Sequence, residues 1–301
     1  TLREPFASDY QSLEFSPDSH WLVSGTWLGD VSMWDVSVDH PAMTPRHQCE
    51  QGAGVRLRPA FSPDGHYVAT AASEWETRAR LWDLTSADPC AHPVLLDPHK
   101  ADDQRGDTGY EVQFSPDSRW AATTSLDRTG RLWDIASGSP RLVAEVRFND
   151  RVVPAAFSPD GHWVAFGSWD RTAKLLDLTH PGAEPATLVG HVARVLSMAF
   201  TPDGRWLATG SDDRTVRLWD PVDPSIPPVV LHGHEAGVID IGFTDQGRSM
   251  VTGALDGTVR IWRLRLDDLV AAACRVAGRE LTAGEVSAFL GGASAQHLCG
   301  G

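Results

Sequence analysis

A hydroxyl, an imidazole and a carboxylate occur close together as Ser211, His191 and Asp213. These residue types could serve as nucleophile, base and orienting acid in acyl transfer. No Gly-x-Ser-x-Gly elbow accompanies the serine, so the usual hydrolase context is missing. The 12 histidines offer no ligand cluster. Several stand in turns, as in Asp64-Gly65-His66 and Asp160-Gly161-His162, spread one per segment along the chain. Cys49, Cys90, Cys274 and Cys299 have no metal-ligand spacing, and a chain of this size needs no disulfide staples. They are predicted to be reduced thiols. No Walker-type phosphate loop is present. The sequence therefore predicts no catalytic, cofactor-binding or metal-binding residues.

The formal net charge of −14 disfavours nucleic acid and anionic lipid as partners, because phosphate binding needs clustered Lys and Arg. No apolar run approaches the about 20 residues of a membrane span. A cytoplasmic protein is expected. Because the chain starts at Thr1, it is expected to be a piece of something longer.

The residues that could do chemistry sit in a repeat. Phe15-Ser16-Pro17-Asp18 recurs at Phe61, Phe114, Phe157 and Phe200, with a degraded copy at Phe243, in steps of 46, 53, 43, 43 and 43 residues. Each copy is followed by Trp-Asp or its relic: Trp34-Asp35, Trp82-Asp83, Trp133-Asp134, Leu176-Asp177, Trp219-Asp220 and Trp262-Arg263. One unit comprises an apolar strand at 195–200, a Pro-Asp-Gly turn, a strand from Trp206 to Gly210, a second turn at 212–214 and an alternating strand at 216–219. A looser fourth strand follows. Pro presets φ and Gly permits positive φ in the first turn. Two turn clusters per unit and no 3.6-residue period disfavour a helical repeat.

These motifs resemble the WD-repeat family of β-propellers over residues 1–264. The resemblance implies an all-β fold of four-stranded antiparallel blades, with repeat cores at 15–36, 61–84, 114–135, 157–178, 200–221 and 243–264. Six blades are readable, and a truncated seven-bladed or longer array is expected. The resemblance also implies a structural hydrogen-bond tetrad, complete only in the fifth blade as His191, Ser211, Asp213 and Trp219. That assignment displaces the triad reading of the same atoms. Elsewhere the tetrad is partial: Ser125, Asp127 and Trp133; Ser168 and Asp170 with Leu176; His234, Asp256 and Trp262 with Ala254 in the serine's place.

Of the 12 tryptophans, Trp34, Trp82, Trp133, Trp219 and Trp262 occupy the Trp-Asp position. Trp21, Trp120, Trp163 and Trp206 follow the first turn. Both sets are expected to fill space between sheets. Trp27, Trp75 and Trp169 fall instead in the turn between the second and third strands. The matching positions hold Leu126, Asp212 and Leu255, so five of the six tips are large and apolar. Such a ring suits a peptide- or protein-binding face. The entrances to the first strands, among them Asp9, Thr108, Arg151 and Arg194, should share it. Arg151 and Arg194 beside Trp169 predict a hot spot for an acidic or aromatic peptide.

The insertion at 97–107 predicts an exposed mobile loop. Helical spacing over 266–277, a Gly278 stop and the capping box Thr282-Ala283-Gly284-Glu285 predict a helical tail over 265–290, with 291–301 disordered. Residues 273–282 resemble tails that close the WD-repeat regions of bacterial multidomain signalling proteins. This implies a sensor or scaffold whose effector, a NACHT-type switch, a Ser/Thr kinase or a protease, lies upstream. The expected function is a non-enzymatic interaction platform of a signalling or defence protein. A structural or autoinhibitory cover for the effector is the alternative, and a propeller enzyme the remote one.

Overall fold

The computed structural model describes residues 10–26, 30–38, 45–50, 58–71, 79–96, 111–244 and 247–264. They form six antiparallel sheets. The first comprises β1 (Tyr10–Phe15), β2 (Trp21–Thr26), β3 (Asp30–Asp35) and β4 (His47–Glu50). The second is β5 (Arg58–Phe61), β6 (Tyr67–Ala71), β7 (Arg80–Asp83) and β8 (Val94–Leu95), and the third β9 (Glu111–Phe114), β10 (Trp120–Thr124), β11 (Thr129–Asp134) and β12 (Arg141–Arg147). The fourth is β13 (Val152–Phe157), β14 (Trp163–Ser168), β15 (Thr172–Asp177) and β16 (Ala186–Val189). The fifth is β17 (Val195–Phe200), β18 (Leu207–Ser211), β19 (Thr215–Trp219) and β20 (Val229–His232). The sixth has three strands among the described residues: β21 (Val238–Thr244), β22 (Ser249–Ala254) and β23 (Val259–Arg263).

Each sheet is a meander, and successive sheets pack through their first strands in the order β1, β5, β9, β13, β17 and β21. This is the arrangement of propeller blades. No helix among the described residues is long and apolar enough to cross a membrane. The expected loop at 97–107 and the expected tail at 265–301 lie outside the described residues.

The Phe-Ser-Pro-Asp motif is a turn that closes on itself. The hydroxyl of Ser16, Ser62, Ser115, Ser158 or Thr201 accepts the backbone N–H five residues on, at 2.8–3.0 Å. It donates to the carboxylate of Asp18, Asp64, Asp117, Asp160 or Asp203. Gly65, Gly161 and Gly204 take φ of 74°, 73° and 71° in this turn, as their sequence position predicts. Ser19 and Ser118 adopt the same conformation without being glycine, at 60° and 58°.

The tetrad differs from the sequence expectation in one member. Trp219 Nε1 donates to Thr209 Oγ1 at 2.8 Å, and Thr209 Oγ1 lies 2.8 Å from His191 Nε2. His191 Nδ1 meets Asp213 Oδ2 at 2.8 Å. An indole N–H only donates and a carboxylate only accepts, so the direction is fixed. Trp219 donates to Thr209, Thr209 to His191, and His191 through Nδ1–H to Asp213. Ser211 stands outside this chain. Its hydroxyl donates to Ala193 O at 3.1 Å and accepts the Asp213 N–H at 3.0 Å. The reason is register: Trp219 pairs with Leu207, and its ring reaches the side chain two residues along on the same face, Thr209. Ser211 lies two further on, at the strand end.

The same register completes the sixth blade, where the sequence reading found a gap at Ala254. Trp262 Nε1 donates to Thr252 Oγ1 at 2.8 Å, which is 2.7 Å from His234 Nε2. His234 Nδ1 lies 3.1 Å from Thr258 Oγ1 and 3.4 Å from Asp256 Oδ2. The second and third blades keep the first link, Trp82 to Thr70 at 2.8 Å and Trp133 to Thr123 at 3.0 Å. The fourth blade has dispensed with the chain. Phe148, Phe166 and Leu176 stand where His191, Thr209 and Trp219 stand in the fifth, with 9, 0 and 1 % of their surface exposed. Replacing the histidine, threonine and tryptophan together leaves none of their donors orphaned, while Asp170 stays and accepts from Thr172 and Asn149. The large Phe166 is received by Gly130 of the third blade, where an added Cβ would strike its ring.

The cysteine expectation is overturned for one pair. Cys49 of β4 and Cys90 form a disulfide, with Cα atoms 5.1 Å apart across a sequence separation of 41. Both sulfur-bearing residues lie in the core between the first two blades, with Val31, Met33, Val68 and Trp82. No local spacing signals the pair, because only the packing of one blade on the next brings them together. Cys274 and Cys299 lie outside the described residues.

Candidate interaction face

In the fourth, fifth and sixth blades the turn between the second and third strands is tied to the entrance of the first strand by one backbone bond. Trp169 N–H donates to Arg151 O, Asp212 N–H to Arg194 O and Leu255 N–H to Gly237 O, each at 2.9 Å. The turn is shaped by its own polar residues. In the fourth blade Ser168 Oγ lies 3.1 Å from Asp150 O and 3.0 Å from Arg151 O. Asp170 accepts from the Thr172 N–H and hydroxyl and from the Asn149 N–H. Tip and entrance are therefore hydrogen-bonded into one local structure.

This geometry brings Arg151, Trp169 and Arg194 into one cluster. The Arg151 Cζ lies 5.0 Å from the Trp169 ring centroid. The Arg194 Cζ, from the next blade, lies 4.8 Å from it. Arg194 Nε donates to Asp212 Oδ2 at 2.7 Å, with half of the arginine side chain exposed. Asp212 thus serves to hold an arginine rather than to face solvent. The Trp169 ring is half-buried, and its Nε1 finds no acceptor among the described residues. Leu255 is 63 % exposed, whereas Leu126 is half-buried. Trp27, Trp75, Asp9 and Thr108 lie outside the described residues.

The cluster borders a cavity of about 890 Å³. Val153, Leu196, Met198 and Ile239 form its apolar wall, and Glu111 and Gln113 face it from the third blade. Sequence reasoning missed this wall. Its signal was available, since Val153, Leu196 and Ile239 hold one repeat position in three consecutive blades. Ile239 is 47 % exposed, and Val192, two residues before Arg194, is 74 % exposed.

Beneath this face the Ser211–His191–Asp213 set has no reactive geometry. The serine hydroxyl is engaged by the main chain, and His191 Nε2 faces Thr209. Side-chain exposure of His191 and Asp213 is 2 and 3 %. Burial pushes the His191 pKa below its usual 6.5, against the opposing pull of Asp213. Burial alone would raise Asp213, but bonds from Thr215, His191 and the Val192 N–H hold it at about 2. Asp256 of the sixth blade is held well below the carboxylate range, first by Thr258 and then by the Glu235 N–H. Among the described residues no three His, Cys, Asp or Glu side chains converge as a metal site requires.

Comparison with known proteins places the fold. The model of the WD domain, G-beta repeat family matches residues 7–35, 51–83, 110–134, 155–177, 182–220 and 226–263, more than half the chain. The chain is 32 % identical over 120 residues to Protein LST8 homolog of Drosophila pseudoobscura pseudoobscura, covering 39 % of this chain and 35 % of that protein. It is 34 % identical over 128 residues to Transcription initiation factor TFIID subunit 5 of Caenorhabditis elegans, covering 42 % and 17 %. It is 35 % identical over 77 residues to mRNA export factor of Xenopus tropicalis, covering 25 % and 20 %. The matched stretch spans about a third or less of each relative's length. Six matched repeats, coinciding with six meander sheets joined through their first strands, show that this chain belongs to the WD domain, G-beta repeat family.

Proposed function

We propose that this chain is a protein- or peptide-interaction platform with no chemistry of its own, and that it engages its partner at the mouth formed by Arg151, Trp169 and Arg194. One observation carries the reading. Two guanidinium groups from adjacent blades lie 5.0 and 4.8 Å from a single indole at the edge of a cavity. Aromatic and arginine side chains are the types that dominate binding energy at protein interfaces. The net charge of −14 supports a protein partner over nucleic acid or membrane.

A role as the sensor or scaffold part of a larger bacterial signalling protein rests on the resemblance at 273–282, outside the described residues, whereas the relatives named above are animal proteins. Cytoplasmic residence fits poorly with the Cys49–Cys90 bridge, since such bonds persist mainly in oxidising surroundings. The test is a pull-down from the native host with the chain as bait. Trp169→Ala combined with Arg194→Ala is expected to abolish capture of the partner. Unchanged capture would place the binding face elsewhere.

A further inference from the structure

We propose that the segment recognised at this mouth is acidic and carries a bulky apolar side chain within two residues of a carboxylate. The carboxylate sits on Arg151, and the apolar side chain enters the cavity against Leu196, Met198 and Ile239. This inference rests on the mouth being the binding face, and adds the chemistry of what binds there.

The charge at the mouth is unevenly compensated. Arg194 is already paired with Asp212 at 2.7 Å. The Arg151 guanidinium has no carboxylate partner among the described residues, only its backbone N–H meeting Asp150 Oδ1 at 2.8 Å, although the chain as a whole is strongly acidic. Its guanidinium lies against the Trp169 ring. Stacking holds a guanidinium by its face and leaves its N–H edge free for a carboxylate, which it can grip with two parallel hydrogen bonds. A single negative charge fits this site better than a phosphate dianion. Arg194 Nε is occupied, and the Asp212 carboxylate stands beside it to repel a second charge.

The apolar half of the site lies beside the cationic one. A cavity of about 890 Å³ is within the range that holds small ligands or several side chains. Its wall leaves Ile239 nearly half exposed in the free protein. Burial of apolar side chains there is the favourable term that a carboxylate alone would lack. Outside the cavity, Val192 two residues before Arg194 is 74 % exposed, and Leu255, whose N–H bonds Gly237 O, is 63 % exposed. A free small acid would leave those residues uncovered, whereas an extended peptide crossing the mouth would cover them.

The test is to pan a random decapeptide display library against the whole chain, and to measure the affinities of the enriched peptides by fluorescence anisotropy. Enriched sequences are expected to place Asp or Glu within two residues of Leu, Ile, Phe or Trp. Arg151→Gln should weaken binding at least about 10-fold, as loss of a charge-assisted bidentate contact does. Replacing the peptide's acid by its amide should weaken binding to the wild type but not to Arg151→Gln. Ile239→Ser should weaken binding about 5-fold or more and remove the preference for the bulky residue. Unchanged far-ultraviolet circular dichroism and melting temperature establish that each variant is folded. Peptides without the acid–apolar pair, tighter binding of a phosphoserine version, or no enrichment at all would overturn the inference. If acid–apolar peptides bind but ignore Trp169→Ala, Arg194→Ala and Arg151→Gln, the mouth itself is the wrong place. If binding is lost in Trp169→Ala but the peptides lack the pair, the mouth stands and this ligand class fails.

Discussion

Replacing Thr209 by Val tests whether the buried chain from Trp219 to Asp213 stabilises the fifth blade. Valine keeps the volume and the branched shape, so no cavity is opened. What is lost is the one atom that both accepts from Trp219 Nε1 and donates to His191 Nε2. Thr209 is fully buried, Trp219 is 3 % exposed and the His191 side chain 2 %. Water therefore cannot replace the lost partner. Each buried polar group left unpaired costs about 1–3 kcal/mol, so the pair should cost about 2–6 kcal/mol. The fourth blade supplies the internal control, since Phe166 and Leu176 fill the same two positions without polar atoms. Trp219→Phe added to Thr209→Val removes one orphaned donor. The double variant should therefore be less destabilised than the sum of the singles, by about 1–2 kcal/mol. Equilibrium urea unfolding gives the totals, and amide hydrogen exchange in β18 and β19 localises them. A Thr209→Val cost below about 0.5 kcal/mol, or strict additivity of the two changes, would refute the reasoning.

Reducing the Cys49–Cys90 bridge, or replacing both residues by Ser, frees a loop spanning a separation of 41 residues. Chain entropy sets the loss at about 4 kcal/mol, visible as a lower melting temperature under dithiothreitol that the double variant does not share. Gly130→Val should cost about 1–3 kcal/mol in urea unfolding, because its side chain would meet the Phe166 ring in a filled core. Gly130→Val with Phe166→Thr should recover part of that loss. Acid should destabilise the blades in two stages. Because burial holds His191 below 6.5, the unfolded chain takes up a proton first as pH falls through 6.5, and stability declines from there. Asp213, at about 2 against its usual 3.8, contributes at most about 2 kcal/mol above pH 4, lost between about pH 4 and 2. Asp213→Asn should flatten that lower stage in a series of unfolding curves.

The blade pattern was legible because its determinants are local. Ser158-Pro159-Asp160-Gly161 makes its turn from hydrogen bonds within six residues, and the positive φ of Gly161 is visible in the residue type. The equivalence of the turn tips was legible for a related reason. A repeat with a fixed period assigns Trp169 and Leu255 equivalent places once one blade is understood. Ser211 was misassigned because it lies on the same strand face as Thr209, and only the register of Trp219 against Leu207 chooses between them. Val153, Leu196 and Ile239 share one repeat position, but only the packing of the first strands turns them toward a shared cavity.

By itself, then, the sequence determined the repeat, its turns and the strand order within each blade. These depend on side-chain alternation and on hydrogen bonds between near neighbours. Tertiary structure alone decided which contacts cross from blade to blade. It joined Cys49 to Cys90 and fitted Phe166 over Gly130. Each of these pairs meets because two sheets pack at a particular offset. That offset is set by the summed fit of many side chains and is written in no single stretch of the chain.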